Sequence, residues 1–163
     1  MKKTLVFCIS SLMMMAFLIS CGEKQVKEQP TVSSGGSDYV IDQINKKVKD
    51  FSIDGFSGGS ATMKENEDFE NLKRIVSTVK PLIEQIPDGY VMQISGHCAD
   101  YDSAAMKKSV STARAKKVYD ELKAAGAAES KMTYKGVGID DPLPGVDLKD
   151  FSQRRVSFKA VKK

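Results

Sequence analysis

Residues Ile94 to Val118, reading ISGHCADYDSAAMKKSVSTARAKKV, constrain the fold of this chain more than any other stretch. The approach to it is a strand: Tyr90, Met92 and Ile94 alternate with Val91, Gln93 and Ser95, the two-residue period of a ribbon with two different faces. Gly96 breaks the alternation, and a short loop carrying Asp100 and Asp102 follows. From Ser103 the period becomes helical, because Val110, Arg114, Val118 and Leu122 recur at four-residue spacing along one side. Three members of that row are apolar and the fourth is an arginine. A guanidinium cannot shed its charge, so burying one requires acceptors, usually a carboxylate or phosphate gripped by two donors. Two readings follow. Arg114 either snorkels over the helix edge or pairs with an internal acid, or it binds an anion opposite the acidic loop. An acid and a base facing each other across a cleft suit a ligand with both an amine and a carboxylate.

Around this stretch the periodicities predict alternating elements. Phe51 to Phe56 is a first strand, followed by a glycine-rich turn at Ser57 to Ser60. Thr62 and Glu65 have capping-box spacing before an apolar stripe of Phe69, Leu72, Ile75, Val76 and Val79, a helix that Pro81 should limit. Pro87-Asp88-Gly89 turns the chain into the second strand. The second helix should run from Ser103 to Ala125 and end at Gly126 in a left-handed cap. Met132 and Tyr134 mark a third strand over Lys131 to Val137, and Gly138 to Asp150 is a loop with Pro142, Pro144 and Gly145. Val156, Phe158 and Ala160 mark the last strand. The order β-α-β-α-β-β indicates an α/β (α+β) sandwich, a mixed sheet with two main helices on one face. Residues 38–50, with Tyr39, Val40, Ile41, Ile44 and Val48, form either a short helix or an extended arm.

The 163 residues suffice for one domain of ordinary size, and 41% hydrophobic with 28% charged residues suits a globular chain rather than a membrane-spanning barrel. The formal charge of +4, about +2 without Lys2 and Lys3, does not argue for nucleic acid. Of three cysteines, Cys8 and Cys21 lie at the N-terminal end, which leaves Cys98 alone in the body and no disulfide framework. Catalysis finds little support. His97 and Cys98 are neighbours on an extended segment and point to opposite faces, the wrong arrangement for a nucleophile and its base. His97, Cys98, Asp100 and Asp102 lack metal-site spacing. The expectation is a binding protein that is not an enzyme and needs no cofactor or metal.

Residues 1–20 carry two lysines, an apolar run from Leu5 to Ile19 and a small residue before Cys21, the pattern of a signal peptide. The run is about 15 residues long and interrupted by Ser10 and Ser11, too short to anchor by spanning. The sequence from Gly22 to Ser37 is polar and ends in serine and glycine, a tether unable to bury a core. As a coil it would span roughly 20–25 Å.

The quoted motifs resemble the OmpA-like peptidoglycan-binding domain in its bacterial lipoprotein form. That family reads GHTD, a short loop, then N-x-x-L-S-x-x-R-A-x-x-V. Gly96 and His97 match its opening, and Ser111, Arg114, Ala115 and Val118 match its helix. Gly136-Val137-Gly138 with Pro142 resembles G-Y-G-x-x-x-P, and Arg154-Arg155-Val156 resembles N-R-R-V. Phe56, Gly59-Ser60-Ala61 and Met63 resemble F-x-x-G-S-A-x-L. The matches run in order from Phe51 to Val161, so the resemblance makes residues 51–163 the folded domain.

The resemblance implies a ligand, the diamino acid of the peptidoglycan stem peptide. It implies that an aspartate takes the ligand's ammonium, Arg114 takes its carboxylate, Arg154 lines the site and Gly59 offers backbone groups. At the family's interval before Arg114 stands Ala99, so Asp100, one residue later, is the expected substitute, and Lys107 replaces an asparagine. Leu18-Ile19-Ser20-Cys21 resembles a lipobox, which implies fatty acyl chains, palmitate in kind, on Cys21 and a lipidated tether over residues 21–37. Two or more chains anchor stably where one binds marginally. Gly22 does not resemble the aspartate retention signal, which favours the outer membrane, with the domain facing the periplasm. The implied role is a lipid-anchored tether between membrane and cell wall. The alternative is an OmpA-like fold with a degenerate pocket that serves protein–protein interaction in the envelope, for which Ala99 and Lys107 speak.

Overall fold

The computed structural model describes residues 34–163 apart from 64, 65 and 102. The signal segment, Cys21 and most of the tether lie outside the described residues, as do Glu65 and Asp102. The elements in chain order are α1 (Ser34–Val48), β1 (Ser52–Ile53), α2 (Asn66–Glu84), β2 (Tyr90–His97), α3 (Ala104–Ala124), β3 (Met132–Gly138) and β4 (Val156–Lys162). The strands form one mixed sheet in the order β1-β4-β2-β3, in which β2 is parallel to β3 and antiparallel to β4. This is the expected α/β architecture with one further helix.

Strand alternation sorts the sheet into two faces. Met92 and Ile94 of β2 and Val156, Phe158 and Ala160 of β4 point into a core shared with Leu72, Ile75, Val79 and Ile83 of α2 and Ala115, Val118 and Leu122 of α3. Gln93, Ser95, Ser157 and Lys159 alternate to the other face. The closest packing in the domain lies where α3 crosses β2 and β3. Gly96 and Gly136 are register partners in those strands. A Cβ at Gly96 would come within 1.9 Å of the Ser111 carbonyl oxygen, and one at Gly136 within 2.4 Å of Ser111 Oγ. Two facing glycines let the helix backbone rest on the strands, and Ser111 Oγ accepts from the Gly138 N–H at 3.1 Å. The glycine that interrupts the β2 alternation is thus a packing requirement.

The structure decides between the two readings of residues 38–50 in favour of the helix and corrects several other expectations. Residues 38–50 fall almost wholly within α1, a helix that begins at Ser34 and so takes in the last residues assigned to the tether. Ile41, Ile44 and Val48 share one helical face and enter the core. The Asn45 amide bonds both backbone groups of Ala160, donating at 3.0 Å and accepting at 2.7 Å, and so covers the edge of β4 beyond the short β1. The folded body therefore begins ahead of residue 51. Secondly, Thr62 does not cap α2. Its carbonyl accepts from the Ser57 N–H at 2.8 Å, and Met63 bridges to Phe56 before the helix starts at Asn66. The first strand shrinks to Ser52–Ile53 because the chain turns at Gly55, where φ is +82°. Thirdly, Pro81 does not end α2. It removes one backbone donor, but Leu82 and Ile83 beyond it are buried, and their burial holds the last turn.

Candidate ligand-binding site

Three loops and the start of α3 meet at one end of the sheet. Ser103 caps α3, its hydroxyl accepting from the Met106 N–H at 3.3 Å, which sets the helix direction away from the loop. The loop after β2 is pinned by its backbone: Cys98 N–H donates to the Gly138 carbonyl and Asp100 N–H to that of Leu148, both at 2.8 Å. The loop that carries Leu148 is itself held from inside by Gln153, which is buried. Its Oε1 accepts from the Leu143 N–H at 2.9 Å, and its Nε2 donates to the Val146 and Asp147 carbonyls.

Arg114 is the largest fully buried side chain, 1% exposed. Among the described residues it donates to three main-chain carbonyls. Nε donates to Ser60 at 2.9 Å, Nη2 to Ser57 at 2.9 Å and Nη1 to His97 at 2.8 Å, and Nη1 also meets Cys98 Sγ at 3.4 Å. The Phe56 ring packs 5.5 Å from the guanidinium carbon. One side chain therefore ties the turn after β1 to the end of β2. The arginine in the apolar row does not snorkel; it is buried, and the strand and turn ends supply three carbonyl acceptors.

A cavity of about 300 Å³ opens above it, lined by Gly58, Gly59, Cys98, Ala99, Tyr101, Val110, Arg114 and Arg154. Three of the four residues expected at a ligand site, Gly59, Arg114 and Arg154, thus share one cavity although they lie far apart in sequence. Arg154 is half-buried, and its guanidinium lies 5.6 Å from the exposed Tyr101 ring. Gly58 lies against it, where a Cβ would sit in ordinary contact, 3.4 Å from Arg154 Nη1.

Asp100 is not among the lining residues; Ala99 is. The Asp100 carboxylate accepts from Lys107 Nζ, and that ammonium holds its carboxyl below the usual carboxylate range. The sequence reading did not single out Gly58 or Tyr101. An aromatic in a polar loop two residues from Ala99 was the available signal for Tyr101.

His97 lies on the other face of the sheet. Nδ1 donates to the Asp141 carbonyl at 3.1 Å, which leaves Nε2 to accept from the Ser157 hydroxyl at 2.8 Å. Burial, reinforced by the nearby Arg155, lowers its pKa to about 4. It is therefore neutral near pH 7 and joins β2 to β4 and to the following loop. Among the described residues no cluster could hold a metal ion, and no helix is long and apolar enough to cross a membrane.

The mixed sheet, the helix laid over paired glycines and the arginine tying two loops define an α/β domain with a polar pocket at one end of the sheet. The chain belongs to the OmpA family, whose model matches residues 40–155. No curated protein matches. Among solved structures, the OmpA-like domain of FopA1 from Francisella tularensis is similar with a TM-score of 0.54 at 21% identity, covering 68% of this chain and 69% of that one. The C-terminal domain of MotB from Helicobacter pylori matches with a TM-score of 0.54 at 16% identity over 69% and 85%. The peptidoglycan-associated lipoprotein from Burkholderia pseudomallei matches with a TM-score of 0.52 at 18% identity over 68% and 89%. At these identities the likeness is one of fold.

Proposed function

We propose that this domain holds peptidoglycan noncovalently in the cavity between Gly59 and Arg154, and that acyl chains on Cys21 anchor it to the outer membrane, so that the protein joins membrane to wall. The observation that carries the reading is the convergence of Gly59, Arg114 and Arg154 on one cavity of about 300 Å³. That volume suits a small part of a peptide rather than a glycan strand, and pockets of this scale accept single small ligands. In this reading the two arginines divide the work. Arg114 shapes the floor of the cavity. Arg154, held among the described residues by a ring at its side, is the group able to turn toward a carboxylate and bind it in bidentate fashion.

The reading is non-catalytic. Both His97 ring nitrogens are engaged away from the cavity, and a pKa of about 4 leaves the ring a poor base at neutral pH. Cys98, within the cavity wall, has no imidazole on its side of the sheet.

Sedimentation of the full chain, in detergent micelles, with isolated sacculi tests the reading. The chain should pellet with the wall, and excess soluble stem peptide should release it. A chain that stays in the supernatant with every wall preparation would refute wall binding and favour a role in contacts with other envelope proteins.

A further inference from the structure

Arg154 lines the cavity described above, and the next residue, Arg155, lines a second cavity of about 460 Å³ on the sheet face opposite α2 and α3. Its floor is the polar row of that face, Gln93 and Ser95 from β2 with Ser157 and Lys159 from β4. Its sides are the segment of residues 49–52 that follows α1 and the loop at Asp141. Polar residues on an open sheet face are ordinarily solvated, yet Ser95 and Arg155 are each only 6% exposed. Their hydrogen bonds set what the floor offers. Arg155 Nη2 donates to the Asp141 carbonyl at 2.9 Å and Nη1 to Gln153 Oε1 at 3.2 Å, which fixes the guanidinium in the wall. Gln93 Nε2 donates to Ser95 Oγ at 3.2 Å and leaves the amide oxygen to accept. Ser157 gives its proton to His97 Nε2, so its oxygen can only accept from anything in the cavity.

This mixture selects among ligands. A simple anion would meet Arg155 and Lys159, but also the Asp50 and Asp141 carboxylates and a serine oxygen with no proton to give. A simple cation would meet those acids beside a buried guanidinium and two lysines. Hydroxyl groups both donate and accept, so a ligand carrying several can satisfy donors and acceptors crowded into one small space. Phe51, half-buried in the side wall, and Leu143 add apolar surface against which the C–H face of a ring can lie. We infer that this second cavity binds a sugar ring, held by hydrogen bonds to Gln93, Ser157 and Arg155 and by contact with Phe51. Its volume lies in the range that takes a small ligand. The site is separate from the one beside Arg154 and stands whether or not that one holds a wall peptide. A glycan strand and a soluble saccharide present the same chemistry to it.

The test titrates the full chain, isotope-labelled and in detergent micelles, with two probes that share hydroxyl and N-acetyl groups: di-N-acetylchitobiose and peptide-free glycan strands. The expected result is a saturable change in the NMR signals of the Gln93 side-chain amide and the Ser95 and Ser157 backbone amides, with Gly59 and Ala99 unmoved. Equal affinity for the two probes supports the site with a soluble sugar as its source. Strands that bind at least about tenfold tighter support it with a glycan chain as the source. Gln93→Ala should weaken either probe about three- to tenfold, as for the loss of a neutral hydrogen bond. Its unfolding midpoint, measured alongside, separates a lost contact from a lost fold. Unchanged affinity in a folded Gln93→Ala, or signal changes confined to Gly59 and Ala99, would overturn the inference. Displacement of the sugar by excess soluble stem peptide would also overturn it, since the sugar would then occupy the first cavity. Signals that move with neither probe would overturn it outright, whatever sedimentation with sacculi shows.

Discussion

Arg114 and Arg154 face the same cavity, yet their surroundings are opposite. Arg114 is buried beneath the loops, with three backbone carbonyls and a thiol within hydrogen-bonding distance. Arg154 stands half-buried at the rim with the Tyr101 ring beside it. The difference separates two roles that a motif cannot distinguish. A guanidinium that stitches backbone segments together belongs to the fold, and its removal orphans the acceptors it served. A guanidinium that rests against a ring can be lost with little effect on the fold and still cost the ligand its partner.

The largest expected effect breaks the first half of this contrast. Arg114→Ala should destabilise the domain by about 3–5 kcal/mol, since it leaves buried carbonyls without donors and opens the floor of the cavity. Arg114→Lys should recover only part of that, because one ammonium cannot reproduce the fork. Denaturant titration of the three proteins measures both, and near-wild-type stability in Arg114→Ala would place the arginine with the ligand instead. Next comes Gly96→Ala, where the new methyl meets the Ser111 carbonyl oxygen at 1.9 Å. It should cost about 3 kcal/mol or more by prising α3 from the sheet, read as a fall in the unfolding midpoint.

His97 sharpens the comparison from the opposite face of the sheet. Its folded pKa of about 4 lies below its ordinary value of 6.5, so between those limits the unfolded chain binds a proton that the folded chain does not. Stability should therefore rise with pH through this window at up to about 1.4 kcal/mol per unit, or on the order of 3 kcal/mol in all. Most of that rise should be absent in His97→Gln between about pH 5 and 6.5, measured by denaturation at stepped pH. Smaller again is Asn45→Ala, which uncovers the β4 edge at Ala160 and should cost about 1–2 kcal/mol.

Much of this was legible in the sequence, and the exceptions share a cause. The alternation of β2 and β4 and the rows of α2 and α3 each follow from one chain segment's own period. Arg114 stood out because it interrupts an apolar row. The α1 helix was ambiguous because Tyr39 and Val40 blur the spacing of Ile41, Ile44 and Val48, and the partner that settles it, Ala160, lies 115 residues away. The continuation of α2 past Pro81 depends on the burial of Leu82 and Ile83, which local propensity does not contain. At the site, Gly59, Arg114 and Arg154 could be named from a resemblance, but the engagement of Asp100 by Lys107 could not. Lys107 is visible as a departure from the family pattern, and Asp100 as the expected substitute for the acid missing at Ala99. Only the fold shows that the two changes meet in one ion pair.

In the proposed function the cavity binds the wall through Arg154 on a scaffold built by Arg114. This is tested most directly by measuring thermal stability and sacculus binding together for wild type and Arg154→Gln. Removing a rim arginine should change stability by no more than about 0.5 kcal/mol. The account predicts superimposable unfolding curves, with wild type in the pellet and the variant largely in the supernatant. Equal pelleting of the two folded proteins would contradict it.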